Sequence, residues 1–266
     1  MLKIAIIGYG FVGKATHKAF EHNAETAIID PKYSTTQIHD LDPKTDVVFV
    51  CLPAPTLDDG SVDSSLIYGV FLQLSTIKYI GLVVLKSTLP PNTVDDLKQV
   101  GLNYIYSPEF LRETSWAEDA VNPEMIILAG VSEDCQKLKT IYLNHSHVPR
   151  NVNFYMMDYK EASLAKYAIN TFLASKVVFM NQLYQLYSDL HGGIPHWETW
   201  HHFTETISAD PRIGGSHLNV PGPDRNYGYG GTCFPKDVNA MIEFDTQCRL
   251  SVLRETSIAN TKLRLL

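Results

Sequence analysis

Cys233 ends the run Gly228-Tyr229-Gly230-Gly231-Thr232-Cys233, and Phe234-Pro235-Lys236-Asp237 follows directly. Three glycines in four residues neither hold a helix nor pack a strand interior, so the backbone there can come close to something else. A thiol with a lysine and a carboxylate within four residues suits nucleophilic attack coupled to proton transfer. Free cysteine is also among the most buried residue types, so a glycine turn ending in a structural thiol fits the same letters. Further upstream, Lys166 and Asn170 are four apart and share one face of any helix that carries them. A solvated surface couple is the ordinary fate of those two types, but here their neighbours are mostly apolar.

Alternating strands and helices are what could gather such residues. Residues 2–7 read as an apolar strand, Gly8-Tyr9-Gly10-Phe11-Val12-Gly13 turns into an amphipathic helix to about residue 22, and a second strand, 26–29, ends at Asp30. In that strand, turn and helix context the glycines permit the tight turn (Gly8), the approach of a pyrophosphate (Gly10) and close helix packing (Gly13), while Asp30 accepts from adenosine ribose hydroxyls. The acid favours NAD over NADP, and the neighbouring Lys32 and Tyr33 leave room for a 2′-phosphate.

Further strands are expected at 46–52, 82–86, 103–106, 124–129 and 152–156, with helices at 64–77 and 133–143. The loops after three of these strands hold Pro53 and Thr56, then Thr88 in Ser87-Thr88-Leu89-Pro90-Pro91, then Glu109 in Ser107-Pro108-Glu109-Phe110-Leu111-Arg112-Glu113. Carboxyl ends of a doubly wound sheet face the ligand crevice. One long helix is expected at 158–190, with Leu164, Tyr167, Ala168, Phe172 and Leu173 on one side, then a short helix at 196–207 and closing helices at 235–247 and 251–263. The fold class is α/β: a Rossmann-like, doubly wound, mainly parallel sheet over 1–157, followed by a helical central domain over 158–266.

The composition sets limits. Across 266 residues, 45% are hydrophobic and 19% charged, as in ordinary globular proteins. A net charge of -7 speaks against nucleic acid or a membrane surface as partner. No apolar run reaches the roughly 18 residues of a membrane span, and strand-like sequence follows Met1 without a signal peptide, so a cytoplasmic protein is expected. Cys51, Cys135, Cys233 and Cys248 lack metal spacing and are expected as free thiols. His191, His196, His201 and His202 lack acidic or cysteine partners at ligand intervals, so no metal site is expected.

Taken in chain order, GYGFVG, CLPAPT, STLPPNT, SPEFLRE, NPEMIILAG, KYAINTFLASK, DPRIG and GYGGTCFPKD resemble the successive signatures of the UDP-glucose and GDP-mannose dehydrogenases. The resemblance runs from Met1 to about Asn260, and SPEFLRE and GYGGTCFPKD are its most specific parts. It implies NAD-dependent, four-electron oxidation of a nucleotide sugar, UDP-glucose above all, to a uronate through a thiohemiacetal and a thioester on Cys233. It further implies that Lys166 and Asn170 stabilise the oxyanion, that Asp237 with Lys166 organises proton transfer, and that Glu109 is the hydrolytic base with Thr88 near the water. Phe110, Leu111, Arg112 and Glu113 would line the sugar, with Tyr227 and Gly230 also on the substrate. Thr88, Glu113 and Lys236 would reach the cofactor, as would Pro53 and Thr56. Arg212 would reach a neighbouring subunit's substrate, implying a homodimer through the helix at 158–190.

This sequence departs from the family pattern in three places. The loop between Arg212 and Gly228 is longer and carries Pro221-Gly222-Pro223-Asp224-Arg225, the long helix has Met180-Asn181-Gln182 in place of an Asn-Glu pair, and Leu266 falls where the family continues into a second nucleotide-binding domain. β-Hydroxyacid dehydrogenases, which also pair a Rossmann domain with a helical one, need neither Cys233 nor SPEFLRE. A homologue that binds NAD or a nucleotide sugar without turnover is the third possibility.

Overall fold

A computed structural model describes residues 1–112, 114–193 and 197–266. Glu113 and His196 therefore lie outside the described residues. The chain divides into two compact units, Met1–Leu57 with Val62–Lys166, and Asp58–Ser61 with Tyr167–Leu266.

The first unit is built on a seven-stranded sheet: β1 (Leu2–Ile7), β2 (Ala24–Ile29), β3 (Val47–Val50), β4 (Leu82–Leu85), β5 (Ile105–Tyr106), β6 (Met125–Ala129) and β7 (Asn153–Met157), in the order β2-β1-β3-β4-β5-β6-β7. Its pairs are parallel except β5 with β6, which meet antiparallel at Tyr106 and Ala129. Strand alternation sorts the side chains into two apolar layers. Ile7, Val48, Val50, Val83, Leu85 and Tyr106 belong to one, while Ile6, Phe49, Val84 and Ile105 belong to the other. With both faces covered the strands read as nearly unbroken apolar runs, as parallel strands do.

Helices α1 (Phe11–Phe20), α2 (Ser65–Thr76) and α5 (Ser132–His145) lie where hydrophobic periodicity puts them. Helices α3 (Pro91–Asp96) and α4 (Trp116–Val121) occupy stretches to which the sequence reading assigned no element. Pro91 at the first position of α3 starts that helix, since a missing N–H costs nothing there, and six residues are too few to show a period. Strand β5 is shorter than its apolar run, and β2 starts two residues earlier than expected.

Helix α6 (Tyr159–Leu190) is the long helix, and α7 (Trp197–Ser208), α8 (Phe234–Phe244) and α9 (Ser251–Leu263) complete the described α-helices. Met180, Tyr184, Trp200, Leu218 and Val220 form a core of the second unit. One expectation for α6 is corrected. Tyr167 is buried, but Leu164 and Phe172 are 45% and 70% exposed, so the apolar side read from sequence splits. The buried face carries Lys166 and Asn170 instead, at 4% and 7% exposure, which excludes a solvated couple.

Candidate active site

In the first unit, the turn after β1 has the form a dinucleotide requires. A Cβ on Gly13 would lie 2.1 Å from the Gly8 carbonyl oxygen, so helix and turn meet only through glycine. A Cβ on Gly10 would meet nothing within 4 Å, leaving open space at the N-terminus of α1, where Gly10 caps the helix without a side-chain bond and Phe11 and Val12 begin it. Helix N-terminal N–H groups aimed at open space suit a pyrophosphate. Asp30 stands at the end of β2, where its two oxygens accept the backbone N–H groups of Tyr9 (2.8 Å) and Lys32 (2.9 Å), fixing the carboxylate beside the turn with lone pairs to spare. Lys32 has its ammonium 5.8 Å from the Tyr33 ring centroid. Pro53 is exposed, and half-buried Thr56 bridges to Val62.

The acid loop lies in the same unit. The Lys166 ammonium donates to the Glu109 carbonyl at 2.5 Å, stands 4.0 Å from Oε1 of its carboxylate, and lies 4.9 Å from the Phe110 ring centroid. Glu109 Oε2 accepts the Leu111 N–H at 2.6 Å. Thr88 is half-buried after β4. Arg112 departs from a simple sugar-lining role: its guanidinium is exposed and bound by Asp119 at 2.5 Å.

In the second unit, Cys233 is exposed and caps α8, so the reading as a structural, buried thiol does not hold. The Thr232 hydroxyl lies 3.7 Å from its sulfur. One turn into α8, Asp237 is 1% exposed and accepts from the Asn170 amide and the Lys236 ammonium, each at 2.5 Å. Lys236 also stands 5.9 Å from the Tyr167 ring centroid. Tyr227 is half-buried, packed on the Tyr184 side of the unit's core. Gly230 stands against Asp224 and Arg264, which pair at 2.6 Å. Arg212 is held by its own Asp210 at 2.6 Å, with the side chain 87% exposed.

Three positioning residues escaped sequence reasoning. Asn181 Oδ1 accepts the Gly228 N–H at 3.0 Å, and Asn260 exchanges two bonds with the Tyr229 backbone, at 2.7 and 3.1 Å. Lys176 donates to the carbonyls of Ile213 and Gly214 beside Arg212. Asn181 sat in the triplet that departs from the family pattern, and that departure was the available signal. Among the described residues no three His, Cys, Asp or Glu side chains gather into a group that could hold a metal, and no helix is long and apolar enough to cross a membrane.

The chain is similar to known proteins over most of its length. Residues 26–146 match the NAD binding domain of the UDP-glucose/GDP-mannose dehydrogenase family, and residues 160–262 match its central domain. A UDP-glucose 6-dehydrogenase of Rickettsia typhi is 31% identical over 233 residues, which are 82% of this chain and 50% of that protein. The chain thus spans half the length of that relative. A UDP-glucose dehydrogenase from the hyperthermophilic archaeon Pyrobaculum islandicum superposes with a TM-score of 0.79 at 25% identity, covering all of this chain and 68% of that one. A Mycobacterium tuberculosis 3-hydroxyisobutyrate dehydrogenase shares the fold, with a TM-score of 0.70 at 14% identity over 98% of this chain and 93% of that one. The cofactor is NAD, which the Gly8 to Gly13 turn and Asp30 fit. By these matches the chain belongs to the UDP-glucose/GDP-mannose dehydrogenase family.

Proposed function

We propose that this protein oxidises the primary alcohol of a nucleotide sugar, UDP-glucose first among candidates, to the carboxylate. The observation that carries the proposal is an exposed thiol at the N-terminus of α8, one helical turn from a buried carboxylate held by an amide and an ammonium. NAD, when bound, accepts the hydride at each of two oxidations. Cys233 sulfur adds to the aldehyde carbon formed by the first, so the aldehyde stays covalently held; loss of the second hydride leaves a thioester. Lys166 and Asn170 are assigned as donors to the oxyanion, and Asp237 with Lys166 to proton transfer. Glu109 takes the proton of the water that attacks the thioester, with Thr88 near that water, and the sulfur leaves to regenerate the thiol. Over one turnover the alcohol carbon loses four electrons and gains one oxygen from water.

The Rossmann unit of 1–157 would then hold the cofactor and 158–266 the nucleophile. A homodimer is part of the proposal. Phe172 and Phe179 on α6 and Val252 and Ile258 on α9 are 70%, 60%, 74% and 50% exposed, and they line a groove of about 970 Å³. Large apolar faces of this kind mark association sites. A reducing cytoplasm would keep Cys233 as the free thiol the reaction needs.

The test is NADH release with UDP-glucose, GDP-mannose and UDP-N-acetyl sugars. Two NADH per sugar are expected, and Cys233→Ser should stall before the acid is released. NAD binding without NADH from any nucleotide sugar overturns the proposal and favours a binding homologue. The fold shared with 3-hydroxyisobutyrate dehydrogenase motivates a second reading, oxidation of a small hydroxyacid, which an active Cys233→Ala variant would support.

A further inference from the structure

We propose that Lys176 holds Arg212 in place for the nucleotide sugar, its ammonium anchoring to helix α6 the turn that carries the arginine. The proposal rests on the nucleotide-sugar reading above and on the substrate contact that the family resemblance gives Arg212. The turn takes its shape from its own residues. Just beyond α7, Ile213 and Gly214 both give their backbone N–H groups to the Asp210 carbonyl, at 3.0 and 3.3 Å, and Gly214 reverses the chain at a φ of +67°.

Within the turn, the Asp210 carboxylate accepts the Arg212 backbone N–H at 3.0 Å and the guanidinium through Nε at 3.0 Å and Nη2 at 2.6 Å. That fork fixes the plane of the guanidinium. The side chain is nevertheless 87% exposed, so N–H donors beyond those given to Asp210 face solvent, where the phosphate or hydroxyl oxygens of a nucleotide sugar can accept them. These bonds set the shape of the turn and the pose of the arginine on it, but not where the turn stands.

Its place comes from α6. The Lys176 ammonium donates to the carbonyls of Ile213 at 2.9 Å and Gly214 at 3.1 Å, across 37 and 38 residues of sequence. Two successive carbonyls of the turn thus converge on one charged donor, and charge-assisted bonds are the stronger kind. Lys176 is half-buried, and burial alone depresses its pKa, with no carboxylate opposing it. Taking an ammonium out of water without a counter-ion is costly, so a position that served packing alone would suit methionine better. Lys176 also lines the groove of α6 and α9 through which two protomers are proposed to meet. The turn is therefore tied to the face from which an arginine has to start if it is to serve a neighbouring subunit's substrate.

Limited tryptic digestion of the full native chain, read by mass, tests the anchor without any substrate. Lys176→Met should speed cleavage after Arg212 at least about tenfold while cleavage elsewhere changes little. Lys176→Arg, which can still donate to both carbonyls, should keep the wild-type rate. Unchanged cleavage after Arg212 in Lys176→Met, or equal acceleration at every site, overturns the proposal. If the wild type oxidises no nucleotide sugar, the proposed function fails while the digestion still decides the anchor. In a wild type that turns over, Lys176→Met should raise KM for the nucleotide sugar at least about tenfold and leave kcat within about twofold. Arg212→Ala should do the same, the double variant should be no worse than Arg212→Ala alone, and Lys176→Arg should restore KM. Losses that add in the double variant, or a fall in kcat at unchanged KM, also overturn the proposal.

Discussion

The side-chain oxygen of Asn181, within α6, accepts the backbone N–H of Gly228 at 3.0 Å across 47 residues of sequence. Asn181 is fully buried, and its amide donates to the Val177 carbonyl one turn back, so its orientation is fixed from both ends. Leucine at this position would leave a buried N–H without its acceptor. Asn181→Leu should cost about 1–3 kcal/mol in urea unfolding, and amide exchange at Gly228 should quicken. Unchanged exchange there would contradict the clamp.

The glycines of the Cys233 loop serve its own packing before any ligand. Gly228 has a φ of +72°, and a Cβ would lie 2.4 Å from Asn260 Oδ1, an atom pinned by its bond to the Tyr229 N–H. Gly230 has room to give, because the atoms a Cβ would meet, at 2.8 and 3.0 Å, are the ends of the flexible Asp224 and Arg264 side chains. Gly228→Ala should therefore destabilise by about 1–3 kcal/mol and Gly230→Ala by distinctly less, compared by thermal melting. Equal losses would reject this ranking.

The cofactor turn separates stability from binding. Gly13→Ala drives a methyl to 2.1 Å from the Gly8 carbonyl oxygen and should unfold the first unit readily. Gly10 has an ordinary φ of -76° and open space around it, so Gly10→Ala should melt like the wild type or slightly higher. On the proposed seat of the cofactor pyrophosphate at the N-terminus of α1, its methyl takes up that open space, and NAD affinity should fall at least about tenfold, some 1.4 kcal/mol. Calorimetric titration with NAD and a melting curve on the same sample decide both halves.

These residues also show what could be read without coordinates. Gly8 to Gly13 and Asp30 were legible because a local period, strand then helix, fixed their context, and β1 fell at its expected bounds. Lys166 and Asn170 were legible as a pair with mostly apolar neighbours, which argued against a solvated couple, but the face of the helix that is buried was not legible. On α6 the apolar stripe and the buried face differ, with Phe172 facing out and Asn170 facing in, and only tertiary packing decides that. Asn260 gave no local signal, since its role is defined by a partner on a distant segment, and Asn181 stood out only as part of a departure from the family pattern, with its partner equally distant. The short helices α3 and α4 were missed because six residues, fewer than two turns, carry too little periodicity to read.

Thiol reactivity should follow exposure. Burial raises the pKa of Cys51 to about 12 and that of Cys135 to about 11, so near neutral pH both are almost wholly protonated as well as shielded. Cys233 and Cys248 are exposed. Brief iodoacetamide treatment of the native protein should modify Cys233 and Cys248 and spare the other two, as read by peptide mass. Denaturant should abolish the difference. Native labelling of Cys51 at the rate of Cys248 would contradict the burial of Cys51 at the end of β3.

The Arg112–Asp119 pair should be visible in the acid limb of stability. Hydrogen bonds from the Arg112 guanidinium, foremost, and from its backbone N–H hold the Asp119 carboxyl below its usual range, against the opposing effect of burial. A folded-state pKa depressed below the unfolded one adds stability that is fully present above the unfolded value, and it is lost as pH falls through the folded value. Because Arg112 is largely exposed, solvent screens the pair, and Asp119→Asn should cost only about 1 kcal/mol near neutral pH. Lowering the pH from about 5 to about 2 should bring the wild-type and Asp119→Asn urea midpoints together. A gap that stays constant over that window would show that the side chain stabilises by packing, and that the charge on the SPEFLRE loop contributes nothing measurable to its hold on helix α4.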